Sequence, residues 1–144
     1  MGMDVVTIRG VIARRLREEA RKLDLSPEEY VRAALELLEG TREELERGNV
    51  RQAAEKVWGA AALALRAYAL WREGRRLASH GELWEYKSTL ADEWGGWVRV
   101  AFQQASSMHV CFYEGWCDRG DVEEALKSVR RLVEEISRRV GQTE

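Results

Sequence analysis

The chain is short of the residues that interrupt or staple a fold. Its 144 residues include one proline, two cysteines and two histidines. One proline leaves long stretches free to be helical. No Ser/Gly/Pro-rich tract marks a linker, so a single domain is expected. A chain of this size buries about 68–70% of its unfolded surface and needs no metal or disulfide to fold. Two cysteines are too few for a disulfide framework, and both are expected to be buried, inert thiols. No apolar run approaches the roughly 18–20 residues that cross a bilayer. Met1-Gly2-Met3-Asp4 lacks the basic start and apolar core of a signal peptide. The expectation is a cytoplasmic protein that does not enter a membrane. Neither charge sign dominates, with 23 basic against 25 acidic residues. That balance excludes a histone-like polybasic binder but leaves room for a local basic patch. Phosphate loops, G-x-G-x-x-G, G-x-S-x-G and C-x-x-C are all missing, so no catalytic residue or cofactor is assigned. Amides are scarce and arginine far exceeds lysine, a composition of heat-adapted proteins or of a GC-rich genome.

What is present is helical periodicity. Apolar residues recur at Ile12, Leu16, Ala20 and Leu23 in steps of four and three. Ser26-Pro27-Glu28-Glu29 is a capping box with proline in the first turn, and the helix it opens is expected to end near Gly48. Asn49 and Gln52 open a helix running to about Glu73, containing the small-residue stretch Gly59-Ala60-Ala61-Ala62. Gly74 to Gly81 reads as a basic loop before a short helix with Leu83, Trp84 and Leu90. A longer helix, starting near Asp92 or after Gly96, carries Val98, Ala101, Ala105, Met108, Phe112 and Trp116. Asp118-Arg119-Gly120 reads as a turn and Asp121 with Glu124 as the box opening the last helix, to Val140. Val5 to Ile8 is a short β-branched run. With the helix after it and Ser26 to Val31, it resembles a ribbon-helix-helix DNA-binding unit, which would place a paired ribbon in the major groove. The alternative is an arm packed on the bundle or its partner.

Few residues here carry chemistry. His109 interrupts an apolar helix and Tyr113, four positions on, shares its face. The imidazole is either a core histidine bonded to a neighbour or an acid/base or phosphate ligand. His80 follows Arg75, Arg76 and Ser79 in the basic loop, where arginine could fork onto a phosphate while histidine moves a proton. Cys111 and Cys117 point about 240° apart on one helix and meet only if the helix ends between them. A zinc site built on them would have unusual spacing, so no metal is expected. Six tryptophans read as core and interface packing, with a base-stacking platform as the alternative if a basic groove lies beside them.

Ala53-Ala54-Glu55-Lys56-Val57-Trp58-Gly59-Ala60-Ala61, Ser79-His80-Gly81-Glu82-Leu83-Trp84, Ala105 with Met108-His109 and Phe112-Tyr113-Glu114, and the last helix from Asp121 to Val140 together resemble the archaeal PaREP family. That family is a branch of the HEPN-like superfamily of helical bundles. The likeness covers about 115 residues from Ser26 onward. It implies an antiparallel up-down bundle, often dimeric. The superfamily associates with nucleotides or nucleic acid, and many members are metal-independent RNases or toxin-like partners of nucleotidyltransferases. Their RNase motif is Arg, four to six residues, then His. The positions that should hold arginine before His109 are Gln104, Gln103 and Phe102. Arg75 and His80 have the spacing but lie between earlier helices.

The expectation is therefore an all-α, antiparallel up-down bundle of five to six helices with a short N-terminal strand or arm. Residues 1–25 form the arm and first helix, and 26–144 the bundle. The function expected first is a non-catalytic module, homodimeric, that binds a nucleotide, RNA or a protein such as a nucleotidyltransferase. An RNase or toxin-like role comes second, and a DNA-binding repressor third. His80, His109, Tyr113, Glu114 and Glu82 are expected around one polar pocket, with Arg75 and Arg76 as phosphate ligands.

Overall fold

The computed structural model describes residues 24–141. The β-branched run, the helix from Ile12 and the ribbon-helix-helix likeness fall outside them. Five helices follow one another among the described residues: α1 (Pro27–Glu46), α2 (Val50–Glu73), α3 (His80–Trp94), α4 (Trp97–Glu114) and α5 (Arg119–Val140).

Short-range signals set most boundaries. Ser26 accepts from the Glu29 amide at 3.1 Å, and the Glu29 carboxylate accepts from the Ser26 amide at 3.0 Å. The Ser26 amide, and the Ser26 hydroxyl after it, hold the Glu29 carboxyl below the usual carboxylate range. Gly74 closes α2 at φ 65°, a left-handed turn that suits glycine. One boundary and one cap bond differ from the sequence reading. Asp118, not Asp121, caps α5: its carboxylate accepts from the Asp121 amide, and the Asp121 carboxylate accepts from the Asp118 amide, both at 2.9 Å. The expected turn is thus the cap and first turn of the helix. Asn49 makes no cap bond, because its side-chain amide donates to Glu44 instead.

α2 is the hub and packs against every other described helix. Thirteen of its residues are buried, on all sides of the helix. Alanines dominate them, and small side chains let four neighbours approach. Glycine serves the same end at Gly59, where a Cβ would sit 2.9 Å from Leu37 Cδ1 of α1. The larger core side chains come from around it: Tyr30, Leu83, Leu90, Phe102, Leu132 and Ile136 are all fully buried.

The cysteines correct an expectation. Cys111 and Cys117 form a disulfide across a separation of six residues. Two inert thiols are the expectation for a helix that runs on past Cys117; α4 instead ends between the cysteines, at Glu114, and Gly115 turns left-handed at φ 73°. That reversal brings Cys117 back beside Cys111. Closing so small a loop removes about 2 kcal/mol of unfolded-state entropy. Reduction, or Cys111→Ser with Cys117→Ser, should lower the midpoint of thermal unfolding by about 5–10 °C, read by circular dichroism.

Candidate functional site

A cleft of about 480 Å³ opens where α2, α3 and α4 meet, with Leu37 of α1 at its edge. Its floor is one stripe of α2. Glu55, Gly59, Ala62 and Arg66 follow at steps of four, three and four, so they line up along the helix. The two central residues are small and leave the space; the two end residues are charged. Trp58, only 6% exposed, forms the inner wall.

The two histidines meet over this floor. Their ring centroids lie 5.3 Å apart, edge to face. His109 stacks on Trp58 at 5.2 Å and 27°, while His80 meets the same indole edge-on at 5.2 Å. The Tyr113 ring lies 5.2 Å from His109 and closes the mouth, at 67% exposure.

Local structure explains how each ring is held. His80 is the first residue of α3, behind a second capping box. Ser79 Oγ accepts from the Glu82 amide at 3.1 Å, and Glu82 Oε1 accepts from the Ala78 and Ser79 amides at 2.9 and 3.0 Å. His80 therefore sits on a pinned helix start rather than in a loop. At the other end, Arg51 donates to the Phe112 and Tyr113 carbonyls at 2.9 and 3.0 Å. With the disulfide it fixes the last turn of α4, which carries Tyr113. Glu55 holds His109: its carboxylate oxygens lie 2.9 and 3.2 Å from Nδ1. A carboxylate only accepts, so Nδ1 carries a proton, and whenever the ring is neutral its lone pair lies on Nε2. The arrangement offers an acceptor imidazole, a second imidazole, a phenol and flat ring faces, which together suit a planar heteroaromatic ligand.

His80, His109 and Tyr113 are thus brought together. Glu82 and Glu114 are not: neither lines the cleft. Glu82 turns back into its own capping box, and those backbone bonds hold its carboxyl below the usual range. Glu114 is exposed at the end of α4. Arg75 and Arg76 are also elsewhere. Arg75 lies 4.0 and 3.9 Å from Glu82 and Glu85 of α3, and Arg76 donates to the Leu25 carbonyl at 2.9 Å. Glu55, Trp58 and Arg66 were missed. A signal existed for them, since a glutamate and an arginine bracket the smallest residues of α2 on one stripe.

Arg66 is the guanidinium at the cleft, and it donates to the Leu77 carbonyl at 3.0 Å. Among the described residues no group of three or more His, Cys, Asp or Glu side chains could hold a metal ion, and no helix is long and apolar enough to cross a membrane.

Both the sequence and the fold of this chain have a match among known proteins. The model of the archaeal PaREP1/PaREP8 family matches residues 29–133, which include every cleft residue. No curated protein sequence matches the chain. The crystal structure of a protein from Sulfolobus solfataricus is similar in fold, with a TM-score of 0.66 at 22% identity, over 74% of this chain and 94% of that one.

Proposed function

The chain belongs to the archaeal PaREP1/PaREP8 family, and from that premise we propose that it is a binding module whose cleft between α2, α3 and α4 takes a nucleotide, free or within RNA. The observation that carries this reading is the convergence of both histidines of the chain on Trp58, beside a 480 Å³ cleft. The base stacks against ring faces, an interaction worth about 1–3 kcal/mol. Nε2 of His109, the Tyr113 hydroxyl and His80 supply donors and acceptors along its edge. The HEPN-like resemblance of the sequence supports the same ligand class. Calorimetric titration with nucleoside monophosphates tests it: the intact chain is expected to bind, and His80→Ala to bind at least about tenfold more weakly. Absence of heat with every base at millimolar ligand would contradict it.

One observation favours a second reading, a metal-independent RNase: a carboxylate-held histidine beside another histidine is a proton-transfer pair. Binding without cleavage ranks first because the developing phosphorane charge needs a cation, and Phe102, Gln103 and Gln104 stand where the RNase motif would carry arginine before His109. Metal-free cleavage of unstructured RNA, lost in His109→Ala, would reverse that order.

The module acts as a homodimer in this reading. From Val100 to Tyr113, α4 carries no Asp, Glu, Lys or Arg, in a chain that is 33% charged. On this helix and beside it Val100, Val110, Trp84 and Trp116 are exposed. An uncharged face with exposed valines and indoles of that kind suits a second copy of itself. Light scattering at tens of micromolar, roughly the range for such complexes, should give twice the chain mass, and Val110→Glu should give the monomer.

A further inference from the structure

A second groove lies on α5, no residue of which lines the histidine cleft. Two adjoining hollows of about 420 and 340 Å³ share Arg131 and Glu135 and so form one groove along this helix. Lys127, Arg130, Arg131 and Arg138 line its first part, against Glu134 and Glu135. Arg139, Trp94 and Trp97 line its second. The chain as a whole is acidic, at −2, whereas this groove sets five cations against three carboxylates, Glu93, Glu134 and Glu135, a local reversal of sign.

The aromatic end is built rather than incidental. Trp94 and Trp97 lie nearly parallel, 6.2 Å apart at 14°. Trp97 Nε1 donates to the Trp94 carbonyl at 3.0 Å, which fixes its ring. Each indole carries a guanidinium on a face: Arg131 lies 4.0 Å over Trp97 and Arg139 4.5 Å over Trp94. A guanidinium plane held on an indole is itself a platform on which a base stacks. Arg138 and Arg139 share a single carboxylate, Glu135. Arg130 and Arg131 have no carboxylate within ion-pair distance among the described residues, so their donors remain for another partner.

We infer that this groove binds single-stranded nucleic acid, with backbone phosphates along Lys127 to Arg138 and bases stacked at the Trp94–Trp97 end. Cations and aromatic planes on one path are the two elements that sequence-independent single-strand binding requires. An acidic protein segment would use the cations and leave the ring platform idle.

Fluorescence anisotropy of a labelled oligouridylate on the intact chain tests the inference. Binding is expected to weaken with salt, with a slope of about −2 in log K against log salt for three neutralised phosphates. The pair Arg130→Gln, Arg131→Gln should lower affinity at least about tenfold and flatten that slope. Lys127→Gln with Arg138→Gln, which leaves both indole–guanidinium contacts in place, should lower affinity in the same direction by less. No binding at low salt, affinity unchanged in both pairs, or displacement of the oligonucleotide by polyglutamate or a duplex as effectively as by unlabelled single strand would each overturn the inference.

Discussion

Truncation of Trp58 to alanine is expected to cost about 3–5 kcal/mol of folding stability, the largest effect of any single change at the cleft. The indole is 6% exposed and belongs to two systems at once. On one side it meets the core ring of Phe102 at 5.6 Å; on the other it carries both imidazoles at 5.2 Å. Alanine leaves a cavity lined by α2, α3 and α4 that the bundle cannot refill, because the residues beside it on α2 are already glycine and alanine. Urea unfolding followed by circular dichroism should show the midpoint falling with the slope unchanged. Trp58→Phe, which keeps a ring, should recover most of the loss. Equal stability of the alanine variant would show that the tryptophan does not join site to core.

The second large effect is the reverse, on binding rather than stability. Glu55→Gln is expected to weaken nucleotide binding about 10–100-fold while costing about 1 kcal/mol or less in stability. Its side chain is 32% exposed and that of His109 23%, so solvent screens much of their contribution to folding. For the ligand, the same pair is decisive. The carboxylate fixes the proton on Nδ1 and the orientation of the ring; glutamine can present its amide nitrogen instead and force the other tautomer. His109→Ala should lose as much binding as Glu55→Gln. A purely structural pair would give the opposite pattern, with a lower unfolding midpoint and binding intact.

Much of this architecture was legible in the sequence because it rests on local chemistry. The capping box at Ser26, the glycine stop at Gly74 and the long apolar faces of α2 and α5 act within a few residues, and periodicity reports them. His109 and Tyr113 were legible as a pair for the same reason. What stayed hidden depends on contacts between distant segments. Nothing near Glu55 announces that its partner is 54 positions away. Glu82 and Arg75 look available in sequence, yet each already has a partner across the start of α3. The disulfide stayed hidden because it needs the turn at Gly115, and periodicity alone does not say whether the helix ends between Cys111 and Cys117. The groove on α5 was missed differently: its cations and its tryptophans lie on three separate helices, and each stretch alone looks like an ordinary charged face or core aromatic.

The composition of the chain makes one measurement of nucleotide binding in the histidine cleft unusually direct. It holds only two histidines, and both stand in the cleft. The histidine ring signals of a heteronuclear NMR spectrum therefore report this site and nothing else. Titration with nucleoside monophosphates is predicted to shift the ring resonances of both His80 and His109 in a saturable way, with the same dissociation constant for each. Ring resonances that stay still while calorimetry or other amide signals report binding would place the ligand elsewhere and contradict the account.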